Sequence, residues 1–142
     1  MLFRSLTKRT ERALGSARQR ILIVDDNDDI RNLIVLTLKS AEYEVFSAPN
    51  GDDALSLIKE EEPDLVLLDV MMPNMSGIEV LAQIRSSKQK KINGALVMMI
   101  SAKSQVADID VALEAGADDY IVKPFRPQHL LEKVSNILSL EQ

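Results

Sequence analysis

The chain alternates short apolar runs with longer segments in which apolar residues recur every three to four positions. The apolar runs predict five strands, at residues 20–24, 44–48, 65–69, 95–100 and 120–122. The helical spacing predicts five helices, at about 29–40, 51–62, 77–85, 106–115 and from 127 onward. Strands that alternate with helices are typical of βαβ units. Because the runs are apolar throughout, the pattern favours a parallel sheet covered by helices on both faces.

Polar side chains stand where four of these apolar runs end. Asp25 and Asp26 follow the first run, Asp69 ends the third, Ser101 follows the fourth and Lys123 follows the fifth. The carboxyl ends of parallel strands lie at one edge of a sheet, and ligands bind there. The pattern therefore predicts that three carboxylates, a hydroxyl and an ammonium group meet in one crevice.

This combination of side chains favours metal-assisted phosphoryl chemistry. Neighbouring carboxylates repel each other by roughly 1 kcal/mol per pair in water, and by more at lower dielectric, so the cluster calls for a cation. Oxygen ligands without histidine or cysteine suit Mg²⁺. Lys123 adds a positive charge, and catalysis of phosphoryl transfer is mostly positioning and electrostatics. Carboxylates serve as covalent nucleophiles, which makes Asp69 on the central strand the candidate acceptor.

Length and composition set the broad class of the protein. At 142 residues, 46% hydrophobic and 27% charged, the chain has the make-up of one globular domain. No apolar stretch approaches the roughly 20 residues that a membrane span needs. Cysteine is absent, which excludes disulfides and thiolate metal sites. A cytoplasmic location fits these features.

Four motifs in this order and spacing resemble the receiver domain of two-component response regulators, the CheY-like family. They are Asp25-Asp26, Leu68-Asp69-Val70-Met71-Met72-Pro73, Ser101-Ala102-Lys103 and Tyr120-Ile121-Val122-Lys123-Pro124-Phe125. The resemblance covers about residues 19–140. It implies a flavodoxin-like, doubly wound, five-stranded parallel sheet in the order 2-1-3-4-5 with five helices.

The resemblance also implies roles at the acidic cluster. Asp69 is expected to be the phosphoacceptor, and Asp26 and Asp69 are expected to ligate Mg²⁺. The backbone carbonyl of Met71 is expected to be a further ligand, while Asp25 is expected to act mainly through a metal-bound water.

A second set of implied roles concerns catalysis and switching. Ser101 and Lys123 are expected to contact phosphoryl oxygens, and Ser101 is expected to move inward together with the side chain of Tyr120. The bond between Lys123 and Pro124 is expected to be cis. The movement would remodel the surface formed by the fourth helix, the fifth strand and the fifth helix, and so control a partner or dimerisation.

The source of the phosphoryl group is expected to be another molecule. His129, the only histidine, falls in the first turn of the fifth helix and away from the crevice, where a solvated side chain is expected. The implied partner is a sensor histidine kinase or a histidine phosphotransfer protein. The domain would then be a signalling phosphoacceptor rather than an enzyme, catalysing only its own phosphorylation and dephosphorylation.

Charge divides the chain into a basic extension, residues 1–18, and a receiver domain, residues 19–142. Residues 1–20 carry a net charge of +5, and the remainder carries −10. Apolar residues of the extension fall roughly on one helical face. A helical or disordered arm is expected, and it has the character to contact a protein, a membrane surface or nucleic acid. The receiver itself is expected to bind no nucleic acid directly.

Simpler interpretations of the same residues stay open at this point. Asp25 and Asp26 are also good helix-capping residues, Ser101 fits a turn, Lys123 fits a surface position and Tyr120 fits simple packing. Two alternative functions share the fold or the chemistry. One is an adaptor that is independent of phosphorylation. The other is an aspartate-nucleophile phosphatase, for which the position two residues after Asp69 would need an aspartate and instead holds Met71.

Overall fold

Five parallel strands form one sheet in the order β2-β1-β3-β4-β5, as the resemblance implies. The structure is a computed structural model that describes residues 18–139. The strands are β1 (Arg20–Val24), β2 (Glu44–Ala48), β3 (Leu65–Asp69), β4 (Leu96–Ser101) and β5 (Asp119–Val122). The order reverses between β2-β1 and β3-β4-β5, which places a topological switch point at the carboxyl ends of β1 and β3.

Helices connect the strands and begin at recognisable caps. They are α1 (Asp28–Ser40), α2 (Gly51–Glu61), α3 (Gly77–Arg85), α4 (Lys90–Asn93), α5 (Val106–Glu114) and α6 (Pro127–Leu138). The side chains of Asn27, Asn50 and Ser76 accept hydrogen bonds from backbone amides in the first turns of α1, α2 and α3. Pro127 occupies the first turn of α6, where its missing N–H costs nothing.

The sheet is buried on both faces, which explains its uniformly apolar strands. Side chains of α1 and α6 pack on one face, against alternate residues such as Ile21, Ile23 and Leu67. Side chains of α2, α3, α4 and α5 pack on the other face, against Leu22 and Leu68. The doubly wound α/β architecture is confirmed.

Residues 18–139 contain one helix more than the five predicted, because α4 forms inside the polar, lysine-rich segment that was expected only to separate α3 from β4. Four residues are too few to show a helical period. The turn is held by the burial of Ile92 and by Arg85, whose Nη1 donates to the carbonyl of Asn93 at 2.8 Å. The other bounds agree within one residue.

The basic extension falls outside the described residues, apart from Arg18. The division between residues 1–18 and 19–142 therefore stays a prediction. Within residues 18–139, none of the helices has both the length and the apolar character that crossing a bilayer requires.

Candidate functional site

Three carboxylates come together at the switch point of the sheet. Asp25 directly follows β1, Asp26 is the next residue, and Asp69 is the last residue of β3. Each offers a carboxylate oxygen, and these oxygens lie within 4.8 Å of one another. Asp25 and Asp69 are 0% and 4% exposed, whereas Asp26 is exposed. This arrangement has the spacing that a cation needs and leaves one carboxylate open to solvent.

Lys123 bridges the two buried carboxylates. It follows β5, and its Nζ donates to Asp25 Oδ2 at 2.9 Å and to Asp69 Oδ2 at 3.3 Å. The peptide bond between Lys123 and Pro124 is cis. The other carboxylate oxygen of Asp69 accepts a hydrogen bond from the backbone N–H of Met71 at 3.1 Å. The side chain of Met71 is exposed, and the group of Met71 that contacts the Asp69 carboxylate is its backbone N–H.

The charges in this cluster are only partly balanced. Burial, followed by the nearby charge of Asp25, raises the pKa of Asp69 to about 6, although Lys123 and the Met71 N–H act in the opposite direction. Burial alone would lower the pKa of Lys123, but its hydrogen bond to Asp25 and the charges of both carboxylates outweigh burial and raise that pKa. One ammonium group therefore does not fully compensate the buried carboxylates.

Hydrogen bonds through a single peptide segment connect Ser101 with Tyr120. Ser101 ends β4 and is fully buried, and its Oγ accepts from the backbone N–H of Lys103 at 3.1 Å. The carbonyl of Lys103 in turn accepts from the Tyr120 hydroxyl at 2.9 Å. Tyr120 is 6% exposed, so its ring already lies inside the protein. The backbone of Lys103 therefore joins the two side chains, with its N–H bonded to Ser101 and its carbonyl to Tyr120.

The one histidine of the chain is a surface residue. His129 is exposed on α6.

The backbone of Lys123 is also bound to β4, since its N–H donates to the carbonyl of Ser101 at 2.8 Å. The structure therefore brings together Asp25, Asp26, Asp69 and Lys123, and places Ser101 on the adjoining strand end.

Two residues that shape the site were missed in the sequence. Gly77, the first residue of α3, lies against the backbone of Asp69, and a Cβ built there would be 2.1 Å from the Asp69 carbonyl oxygen. Arg31, in α1, donates from Nη1 to the carbonyl of Asp25 at 2.8 Å. A glycine at a helix start is a weak signal of close approach, and nothing in the sequence links Arg31 to a carbonyl six residues away.

Comparison with known proteins decides the family. A family model described as "Response regulator receiver domain" matches residues 21–135. The chain belongs to this family. Its curated relatives include the "DNA-binding response regulator MtrA" of Mycolicibacterium smegmatis, 37% identical over 121 residues, and the same-named protein of Mycobacterium tuberculosis, 38% identical over 121 residues. Each alignment covers 85% of this chain but 51% of the relative, so this receiver spans about half the length of those proteins.

Solved receiver structures share the fold over nearly their whole length. The chemotaxis response regulator CheY4 of Vibrio cholerae superposes with a TM-score of 0.80 at 30% identity, covering 85% of this chain and 99% of that one. The BeF3-activated N-terminal receiver domain of Klebsiella pneumoniae RstA superposes with a TM-score of 0.76 at 31% identity, covering 84% and 98%. The CheY-like character expected from the motifs is confirmed.

Proposed function

We propose that this receiver accepts a phosphoryl group on Asp69 from a histidine kinase or a histidine phosphotransfer protein, and that phosphorylation changes the surface built from α5, β5 and α6. The observation that carries the proposal is the buried Asp69 carboxylate, which receives a hydrogen bond from Lys123 Nζ at 3.3 Å and lies beside two further carboxylates. A nucleophile, a cation site and a fixed ammonium group are the parts that phosphoryl transfer needs.

The donor set fits Mg²⁺. Among residues 18–139, the cluster offers only carboxylate oxygens, which a hard divalent cation prefers. Burial and, after it, the charge of Asp25 raise the pKa of Asp69, and a bound cation would favour the ionised carboxylate against both. Asp26, Asp69 and the backbone carbonyl of Met71 would hold the ion, with Asp25 acting through a bound water. When bound, Mg²⁺ supplies positive charge to the phosphoryl oxygens.

In the proposed reaction, a carboxylate oxygen of Asp69 attacks the phosphorus of a phosphohistidine while the P–N bond breaks, leaving an acyl phosphate on Asp69. Lys123 is placed to pair with a phosphoryl oxygen, and the Ser101 hydroxyl to donate to another. Water attack on phosphorus later releases inorganic phosphate and restores the carboxylate. We expect the donor to be another molecule, since the one histidine of the chain, His129, lies on α6 and does not belong to the acidic cluster.

The proposed switch uses the hydrogen bonds that join Ser101 to Tyr120. When the Ser101 hydroxyl turns to the phosphoryl group, the Lys103 N–H loses its present acceptor and the segment between β4 and α5 can follow. The Tyr120 side chain is already buried without a phosphoryl group. The proposed switch would therefore shift the position of a buried ring and would not move an exposed ring into the protein. A partner that docks on the surface built from α5, β5 and α6 could bury exposed apolar side chains of α5. These are Val106, Val111 and Leu113.

The partners of this receiver are part of the proposal. The curated relatives are named as DNA-binding regulators and are about twice as long as this chain. For the receiver itself we propose docking on a downstream protein, or dimerisation, in the cytoplasm and without direct contact to nucleic acid. The basic extension supplies a second, independent attachment to a protein, a membrane surface or nucleic acid.

The proposed function is tested by intact-mass analysis of the whole chain incubated with Mg²⁺ and a small phosphodonor, such as an acyl phosphate or phosphoramidate. We expect a gain of one phosphoryl group that survives acid and is lost in base, and no gain when the metal is chelated. Size-exclusion chromatography of the same samples shows whether dimerisation is the output. An unmodified mass despite normal Mg²⁺ binding would leave a phosphorylation-independent adaptor as the better description.

Replacing Lys103 with alanine is expected to shorten the lifetime of the phosphorylated form. The Lys103 side chain is exposed beside a groove of about 490 Å³ lined by Met71, Met72 and Pro73, which closely follow the proposed phosphoacceptor in the chain. There it can screen the acyl phosphate from water, while its backbone bonds to Ser101 and Tyr120 do not depend on the side chain. We expect decay roughly two- to fivefold faster, as for the loss of an exposed charge that contributes up to about 1 kcal/mol. The decay is followed as loss of the phosphorylated mass. Lys88→Ala is the matched surface control, and equal decay rates would rule out the screening role.

A further inference from the structure

Arg31 connects the first helix to the backbone that carries the acidic pair. Its Nη1 donates to the carbonyl of Asp25 at 2.8 Å, and its Nη2 donates to the Asp28 carboxylate at 2.6 Å. The side chain of Arg31 is 15% exposed, whereas that of Asp28 is 78% exposed. An ion pair with an exposed partner contributes little to stability. Any role of Arg31 at the site would therefore depend on its hydrogen bond to the Asp25 carbonyl.

The Asp25 carbonyl is the one polar group of its residue that relies on this arginine. The N–H of Asp25 donates to the carbonyl of Ala48 at 3.2 Å, and its Oδ1 accepts from the N–H of Asn27 at 2.9 Å. β1 has ended at Val24, so the carbonyl of Asp25 takes no part in the sheet. Among residues 18–139, the group that donates a hydrogen bond to the Asp25 carbonyl is Nη1 of Arg31.

The orientation of that carbonyl sets the direction of Asp26. The carbonyl belongs to the peptide plane between Asp25 and Asp26, and a planar peptide fixes the positions of both neighbouring Cα atoms. No hydrogen bond or ion pair of the Asp26 carboxylate occurs within the described part of the chain, and the side chain is exposed. The backbone therefore has to aim Asp26 toward Asp69.

We propose that Arg31 is a positioning residue that holds the peptide between Asp25 and Asp26 so that the three carboxylates converge on a divalent cation. The inference rests on the proposed metal site and adds a residue to it. A positioning role and a purely electrostatic role predict opposite results. The guanidinium is a fixed positive charge near the cluster, and if charge alone mattered, removing it would strengthen cation binding. If Arg31 positions Asp26, removing it weakens binding.

The test measures Mg²⁺ binding by titration calorimetry on the whole chain for four proteins: the wild type, Arg31→Gln, Arg31→Lys and Asp28→Asn. We expect Arg31→Gln to weaken Mg²⁺ binding about tenfold, as for other groups that orient metal ligands. Arg31→Lys keeps the charge but not the forked geometry, and is expected to fall between Arg31→Gln and the wild type. Asp28→Asn breaks only the exposed ion pair and is expected to stay within about twofold. Binding by Arg31→Gln that equals or exceeds the wild type would overturn the proposal.

A second measurement on metal-free protein keeps the inference separate from the proposed function. The N–H of Asn27 is held by Asp25 Oδ1 inside the same loop, so hydrogen exchange at Asn27 reports how firmly the loop is held. We expect faster exchange at Asn27 in Arg31→Gln and unchanged exchange in Asp28→Asn. If the wild type shows no Mg²⁺ binding, the metal site fails while the exchange data still decide the role of Arg31. Unchanged exchange in Arg31→Gln would refute positioning.

Discussion

Replacing Asp69 with asparagine is expected to abolish phosphorylation and at the same time to stabilise the metal-free protein at neutral pH. Asparagine keeps the shape of the side chain but has no carboxylate to form an acyl phosphate, so no mass gain should follow incubation with a phosphodonor. The stabilisation has a separate cause. Burial and the charge of Asp25 make the ionised form of Asp69 unfavourable, which is why the pKa of Asp69 rises to about 6.

The direction of the pH dependence follows from that shift. The ordinary pKa of an aspartate is 3.8, so between about pH 4 and pH 6 the folded chain binds more protons at Asp69 than the unfolded chain does. The free energy of unfolding of the metal-free wild type therefore falls as pH rises through this window. The asparagine variant lacks this contribution. At pH 7 we expect it to be more stable by about 1 to 2 kcal/mol. The full shift already includes the attraction of Lys123, and the range is smaller than that shift because an asparagine NH2 group replaces one of the two oxygens that accept hydrogen bonds from Lys123 and the Met71 N–H.

Urea denaturation in the presence of a chelator, from pH 4.5 to pH 7.5, measures this effect. Asp110→Asn is the matched control, since Asp110 is exposed on α5 and makes no ion pair within residues 18–139. The control should follow the wild-type pH dependence. Lower stability of Asp69→Asn than of the wild type at pH 7 would show that the contacts of the carboxylate with Lys123 and the Met71 N–H outweigh the cost of burial and the repulsion from Asp25. The interpretation of the cluster as under-neutralised would then be wrong.

The strands, and the meeting of the polar side chains at their carboxyl ends, could be predicted from the sequence. Both depend on short local patterns that allow only one arrangement in a parallel sheet. An apolar run such as residues 65–69 must be buried on both faces, and the parallel order then leaves Asp69 at the carboxyl edge. Asp25 and Lys123 are 98 positions apart, yet each directly follows a strand, which is enough to predict that they meet. The family motifs supplied the order of the strands.

Other features were beyond the sequence because they depend on tertiary contacts. The short helix α4 is held by Arg85, whose guanidinium also donates to the carbonyls of Ala95 and Gly116. No local propensity marks it. The contact of Arg31 with the Asp25 carbonyl depends on where α1 packs, and the shifted pKa of Asp69 depends on the depth of burial. The amino-acid sequence alone gives neither the packing position of α1 nor the depth at which Asp69 is buried.

Replacing Gly77 with alanine is expected to cause the largest loss of stability of any single methyl group added near the site. Its N–H donates to the carbonyl of Val70 at 2.9 Å, which holds the start of α3 against the end of β3. A Cβ at this position would lie 2.1 Å from the Asp69 carbonyl oxygen and 2.8 Å from the Asp69 carbonyl carbon. Both are backbone atoms of a central strand and cannot move aside as a flexible side chain can. We expect destabilisation of about 3 kcal/mol or more, at the upper end of what overpacking produces.

Gly94→Ala is the matched control for this prediction. Gly94 also lies at a helix end, but its φ of −93° suits any residue, and the nearest atom to an added Cβ is the Lys90 carbonyl oxygen at 3.1 Å. We expect a change below about 1 kcal/mol there. Urea denaturation compares the two variants, and intact-mass analysis with a phosphodonor shows whether Gly77→Ala also modifies less. Because the clash falls on the backbone of Asp69, relief by moving β3 would displace the proposed phosphoacceptor, whereas relief by moving α3 would leave its position unchanged. Equal stability of the two variants would mean that α3 does not pack on Asp69 as closely as described.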